Sequence, residues 1–155
     1  MRRSVPKKKK TLPDPKYNDI LVTKFVNNLM FEGKKNIAFK IFYEAIDIVS
    51  EKIKEDGLKV WKKALENVTP SVEVKSRRIG GATFQIPTEI KQERKSSIGM
   101  KAMIKYARNR KEKTMSKNLS SEIISAYKEE GGAFKRKEDI HKMANANKAF
   151  SHFRF

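Results

Sequence analysis

Side chains able to move protons or attack a bond are scarce in this chain. The two histidines, His141 and His152, lie about three helical turns apart, and neither has a plausible nucleophile nearby. Their ordinary reading is as helix-surface or packing residues, with stacking on RNA as the alternative. Glu51 and Glu55 are spaced by one helical turn and could in principle do paired-carboxylate work. No histidine or metal-ligand spacing accompanies them, and with the opposite-charge pairs Lys40–Glu44 and Lys62–Glu66 they read as solvated helix faces. The chain has no cysteine, which excludes disulfides, thiolate catalysis and cysteine-ligated zinc or iron–sulfur centres. Gly80-Gly81 and Gly131-Gly132 fit neither phosphate-cradling glycine pattern. No enzyme, metal site or cofactor is therefore predicted, and a ribonuclease built on either histidine lacks partners around the imidazole.

What the sequence has in excess is positive charge. Across 155 residues, 36 Lys and Arg face 18 Asp and Glu, a formal charge of +18, and the partner of such a surface is a polyanion. No apolar run approaches the roughly 20 residues of a membrane span, and no signal segment is visible, so a soluble cytosolic protein is expected. The cations fall in five clusters. Arg2, Arg3, Lys7, Lys8, Lys9 and Lys10 lie in a proline-punctuated N-terminal arm; Lys34 and Lys35 follow Gly33; Lys75, Arg77 and Arg78 precede Gly80. Arg108, Arg110, Lys111 and Lys113 form a fourth group, and Lys135, Arg136 and Lys137 a fifth. Lysines outnumber arginines 27 to nine, which favours dispersed phosphate contacts over bidentate reading of base edges. Clusters spread over an arm, loops and a hairpin fit an irregular RNA better than a straight duplex, so RNA is preferred over a DNA-architectural role.

The elements that must position these charges are legible from periodicity. Residues 1–16 read as an extended basic arm that orders on binding. From Asn18 apolar residues recur at helical spacing through Leu21, Phe25 and Leu29 until Gly33. A second stripe runs Ala38, Phe42, Ala45, Val49 and Ile53 until Gly57, and a third runs Leu58, Trp61, Leu65 and Val68 until Pro70. The period then becomes two: Val72, Val74 and Ser76, then Ala82, Phe84 and Ile86 across Gly80-Gly81, predict a hairpin at about 72–88 whose tip projects Arg77 and Arg78. Three further helices are expected. Ser96 or Ser97 would cap the first and Thr114 the second, which Gly131-Gly132 would end; Lys135, Arg136 and Lys137 would open the last. Such a basic helix start opposes the macrodipole unless anions meet it. Trp61, Phe25 and Phe42 belong to the core, while Phe153 and Phe155 beside Arg154 suit stacking, a partner surface or folding back. The fold class is mainly α, a six-helix body over 17–155 with one protruding β-hairpin and a basic N-terminal arm.

Three stretches carry a resemblance. Tyr17-Asn18-Asp19-Ile20-Leu21-Val22 through Phe31-Glu32-Gly33-Lys34-Lys35-Asn36-Ile37-Ala38, the hairpin Val72 to Pro87, and Lys137-Glu138-Asp139-Ile140-His141-Lys142-Met143-Ala144 through Arg154 strongly resemble bacterial-type small-subunit ribosomal protein seven. The resemblance implies a domain bound directly to the 3′ major domain of small-subunit ribosomal RNA, where it helps nucleate the head, near the exit-site transfer RNA and the messenger RNA path. By position it implies that Arg2, Arg3, Lys7, Lys8, Lys9, Lys10, Lys34, Lys35, Arg77, Arg78 and Arg94 contact ribosomal RNA. Gly80 and Gly81 would form a tip facing the exit site. The eleventh small-subunit protein would meet the hairpin and the chain end, the location would be the ribosome of a cytoplasm or organelle, and some members repress their own messenger. Departures are Lys101-Ala102 where many members have Arg-Trp, Gly99 early in the fourth helix at about 1 kcal/mol relative to alanine, a sparser arginine start, and Phe155 where tryptophan is frequent.

Overall fold

The computed structural model describes residues 11–153. The arm cations Arg2, Arg3, Lys7, Lys8, Lys9 and Lys10, and Arg154 and Phe155, lie outside the described residues. Six helices and one hairpin follow in order: α1 (Ile20–Leu29), α2 (Lys35–Ile53), α3 (Gly57–Val68), β1 (Val72–Ile79), β2 (Ala82–Glu89), α4 (Gln92–Arg108), α5 (Met115–Tyr127) and α6 (Gly131–Ala146), closed by a 3-10 helix over Lys148–Phe153. This is the predicted class, mainly α with a β-hairpin. Among the described residues no helix is long and apolar enough to cross a membrane.

Side-chain caps fix three helix starts by satisfying amide groups that have no intrahelical acceptor. The Asp19 carboxylate accepts from Leu21 N at 2.7 Å, Asp56 from Leu58 N at 3.0 Å, and Thr114 Oγ1 from Lys117 N at 3.3 Å as the sequence predicts. Ser96 and Ser97 are not caps. They lie inside α4, which starts at Gln92 without a side-chain cap; Ile90, just ahead of it, is buried, so the hairpin delivers the chain directly into the helix.

The glycines also differ from their predicted roles. Helix α2 stops at Ile53 with Lys54 in the left-handed region, whereas Gly57 opens α3 and donates its N–H to Ser50 Oγ at 2.9 Å. A Cβ there would collide with the Ile46 carbonyl. Likewise α5 ends at Tyr127, and Gly131, at φ +89°, opens α6. Lys135, Arg136 and Lys137 therefore sit past the first turn of α6, where the dipole falls off, and the expected macrodipole penalty largely disappears. Glu55 lies beyond α2, so Glu51 and Glu55 do not share a helix face; Glu55 instead accepts from the Tyr127 hydroxyl at 3.3 Å.

The core centres on Trp61, Phe25 and Phe42, all fully buried. Their rings meet in tilted and edge-to-face pairs with centroids 5.2 to 5.4 Å apart, geometry that adds about 0.5–1.5 kcal/mol per pair beyond burial. Helix α5 runs through the middle and packs on α2, α3, α4 and α6. Its small residues Ser116, Ser120 and Ala126 are buried and let neighbours approach, and Ser116 donates to Glu44 at 2.7 Å. At the other end of the chain, Asp14 is buried; it accepts from Tyr17 N at 2.8 Å and the Tyr43 hydroxyl at 2.6 Å. Burial, with the same bond, holds the Tyr43 phenol well above its ordinary range.

The two strands pair antiparallel from Val72↔Glu89 to Ile79↔Ala82. Gly80 and Gly81 take φ +55° and +89°, the pair of positive angles that a two-residue primed turn demands. Eight residues per strand give a projection of about 25 Å. It is fixed to the body by β1 packed on α6, β2 on the 3-10 helix and, in its outer half, Phe84 against Phe150 at 5.1 Å.

Gly99 supplies a test of how tightly α4 is seated. A Cβ at this position would run into Thr69 Oγ1 and crowd Leu65, and Thr69 Oγ1 is held by donation to the Leu65 carbonyl at 2.6 Å. Helix propensity alone says that Gly99→Ala gains about 1 kcal/mol. Overpacking here reverses the sign, and a net loss of about 1–2 kcal/mol is expected; urea unfolding of the variant decides between them.

Candidate nucleic-acid interface

Helix α4 is the spine of the basic surface. Arg94, Lys101, Lys105 and Arg108 follow at helical spacing and fall within about 60° of one another around the axis, along a helix of about 25 Å. All four are exposed, while Met100, Met103, Ile104 and Ala107 face the core. The neighbouring α1 runs alongside. Asn28, Lys101, Ile104, Lys105, Arg108 and Asn109 line one shallow depression of about 320 Å³, and Lys24, Asn27, Ser96 and Ser97 with Asn28 line a second beside it. The result is a groove walled mainly by amines, amides and hydroxyls, the donor types that phosphate and ribose oxygens accept from, with the Glu93 carboxylate among them.

The α1–α2 loop closes one end of this groove. Its backbone turns through two left-handed residues, Glu32 at φ +50° and Gly33 at φ +75°, and a bond from Lys34 N to the Phe31 carbonyl at 2.9 Å sets the turn. Lys34 and Lys35 are thereby exposed, with the Lys34 ammonium meeting Glu32 of the same turn at 2.9 Å. Arg108 joins the loop to α4: its Nη2 donates to the Leu29 carbonyl at 3.1 Å, and its guanidinium lies 3.9 Å from the centroid of Phe31. Burial draws the Arg108 guanidinium somewhat below its usual value; it starts so high that the charge stays in place.

At the other end Arg94 reaches Glu73 of β1 at 3.4 Å, and Lys75 meets the same carboxylate at 3.2 Å. One acid thus ties the start of α4 to the hairpin base, although such exposed pairs contribute little stability. Arg77, Arg78, Gly80 and Gly81 are exposed towards the tip. Of the remaining predicted cations, Lys111, Lys113, Lys135 and Arg136 are exposed.

Besides Arg108, two predicted contacts have their head groups engaged inside the protein. Arg110 bridges Glu122 Oε2 at 2.7 Å and Ser125 Oγ at 2.8 Å. Glu122 is almost fully buried and also accepts from Ala133 N at 3.0 Å, so this network ties the α4–α5 loop, α5 and α6 together. Lys137 donates to the Asn67 carbonyl at 2.8 Å. His141 has a packing role, its Nε2 accepting from the Ser71 N–H at 3.3 Å. Burial, with Lys137 beside it, lowers its pKa. Lys101 and Lys105 are the members of the groove that the cluster reading of the sequence passed over; their spacing from Arg94 and Arg108 was the available signal.

Comparison with known proteins fits this surface. The family model described as ribosomal protein S7p/S5e matches residues 1–148. The chain belongs to this ribosomal protein family. It is 61% identical over 155 residues, the whole of both chains, to small ribosomal subunit protein uS7 of Cytophaga hutchinsonii. The counterpart from Porphyromonas gingivalis is 61% identical with full coverage of both chains, and that from Amoebophilus asiaticus 60% with 99% of each covered. Within the S7p/S5e family such identity along the full length means that groove, loop and hairpin all lie in the shared part of the chain.

Two measurements probe how the family scaffold holds this surface. Arg110→Ala leaves a buried carboxylate without its cation, and a loss of about 3 kcal/mol is expected in urea unfolding. Glu122→Gln, which can still accept from Ala133 N, should lose less. His141 accepts the Ser71 bond only when neutral, and its pKa is lowered in the folded chain. Its stabilising contribution is therefore full above the unfolded value of about 6.5 and lost as pH falls through the lower folded value. The gap in Tm between the natural chain and His141→Gln should shrink on acidification below about pH 6.5; a gap independent of pH would remove His141 from the hairpin clamp.

Proposed function

We propose that this chain is a structural component of the small ribosomal subunit that binds small-subunit ribosomal RNA directly, by charge neutralisation and shape fit. One observation carries the reading: Arg94, Lys101, Lys105 and Arg108 stand in a single exposed row on α4, continued by Lys34 and Lys35 at one end and by Lys75, Arg77 and Arg78 at the other. A rigid helix keeps these charges at fixed separations, which suits the phosphates of one folded RNA and disfavours others. The name small ribosomal subunit protein uS7 borne by relatives at about 60% identity supports the same reading.

The finer assignment follows the resemblance. The RNA is the 3′ major domain, and early docking of the body there helps nucleate the head. The arm with Arg2, Arg3, Lys7, Lys8, Lys9 and Lys10, and the exposed cations Lys111, Lys113, Lys135 and Arg136, extend the contact area, with Arg110 and Lys137 bordering it. The hairpin, clamped at its base, carries Gly80 and Gly81 towards the exit-site transfer RNA and the messenger path. The eleventh small-subunit protein is the neighbour at the hairpin and chain end. The chain works in the ribosome, in a cytoplasm or an organelle.

Phosphate contacts leave a signature in salt dependence. Each neutralised phosphate adds about 0.7–0.9 to the slope of log K against log salt. Lys101→Ala with Lys105→Ala should therefore lower that slope by about 1.4–1.8 on a transcript of the 3′ major domain, with the fold intact by circular dichroism. An unchanged slope would take the α4 row out of the interface. Equal affinity of the natural chain for duplex DNA would instead favour a DNA-architectural protein.

A further inference from the structure

Phe31 departs from the other aromatic rings whose burial the structure describes, which are buried or half-buried. It lies in the α1–α2 loop and is 63% exposed, yet its ring is held in place. The Arg108 guanidinium covers one face at 3.9 Å, and that guanidinium is itself fixed by donation to the Leu29 carbonyl, one of the acceptors left over at the end of α1. With one face covered and nearly two-thirds of the residue in solvent, the open area lies on the opposite face and the edge. The surroundings are polar and net cationic: Lys34, paired with Glu32 at 2.9 Å, and Lys35 follow in the same turn, and Asn28, Lys105 and Asn109 line the depression that Arg108 borders.

We propose that Phe31, backed by Arg108 and flanked by Lys34, Lys35 and Lys105, is a stacking platform for a single unpaired RNA base. The inference rests on the RNA-binding reading above and names the ligand chemistry at one point of that surface. A flat ring already ordered by a guanidinium offers a π-face at little entropic cost, and every base has a matching face. The flanking ammonium groups suit the phosphates on either side of an extruded nucleotide. A protein partner fits less well, because a stable protein interface buries more than about 1,000 Å², and here an aromatic ring sits among lysines.

The test uses the full chain and a transcript of the small-subunit 3′ major domain, with Kd measured by filter binding between about 50 and 200 mM salt. Phe31→Ala should weaken binding by about 5- to 100-fold at every salt concentration, with the salt slope unchanged because no phosphate contact is lost. Phe31→Tyr should restore most of the affinity, and ultraviolet irradiation of the complex should crosslink residue 31 to a base. Phe31 is exposed and outside the helices, so thermal unfolding of both variants should match the natural chain. Natural affinity in Phe31→Ala, or no rescue by Phe31→Tyr, overturns the platform and leaves the wider RNA reading standing. If the natural chain fails to prefer the transcript over duplex DNA, both fall. Normal transcript binding by Phe31→Ala with failure to enter reconstituted subunits would place Phe31 against a neighbouring protein and also overturn the proposal.

Discussion

Self-repulsion is the constraint on which this structure turns. Eighteen positive charges in excess on a body of this size oppose compaction, and the acids are too few to neutralise them. Many of those acids do something else: they hold the scaffold. Asp14 anchors the start of the described chain through Tyr17 and Tyr43, and Asp19 and Asp56 cap helices. Glu44 ties α2 to α5, Glu73 links hairpin to α4, and Glu122 joins α5 to α6 and to the α4–α5 loop from within the core. Apart from Lys62 on Asp19 and Lys75 on Glu73, these scaffold carboxylates take partners other than lysine, which leaves most of the surface ammonium groups for a polyanion to neutralise.

Local chemistry was legible in the sequence, and contacts between distant segments were not. The hairpin follows from a period of two and a glycine pair that permits two positive φ angles, and the Thr114 cap and the burial of Trp61, Phe25 and Phe42 follow from types and spacing. Gly57 and Gly131 looked like stops because glycine commonly ends helices. Their actual duties depend on Ile46 and Ser125 standing where a Cβ would be, which no local pattern reveals. Ser96 and Ser97 looked like caps for a similar reason: the earlier start of α4 is imposed by the hairpin that feeds it. The central position of α5 was also hidden, since only the fold shows that it packs on α2, α3, α4 and α6.

The interface was legible as charge and not as shape. Reading cations by adjacency in sequence found Lys34–Lys35 and Arg77–Arg78 but missed Lys101 and Lys105, because a row on a helix is spread over four turns with apolar residues between its members. The same adjacency joined Arg108 to Arg110, although the two side chains serve different places: Arg108 reaches α1 and Phe31, whereas Arg110 turns to Glu122. A helix rotates successive residues by about 100°, so neighbours in sequence are seldom neighbours on a surface.

The division of labour between the two cation types follows from their chemistry. Among the described residues, Arg94, Arg108 and Arg110 each bond a carboxylate or a carbonyl of another element. A planar fork with several donors can satisfy an internal acceptor while still presenting charge, and it keeps that charge when partly buried. Lysine has a compact, strongly hydrated head on a flexible stem, so it is better left in solvent to adjust to a phosphate. A chain with 27 lysines and nine arginines can therefore use some of its arginines as joints of the scaffold and most of its lysines as the adaptable contacts, with Lys137 on the Asn67 carbonyl an exception, and α4 carries both in one row.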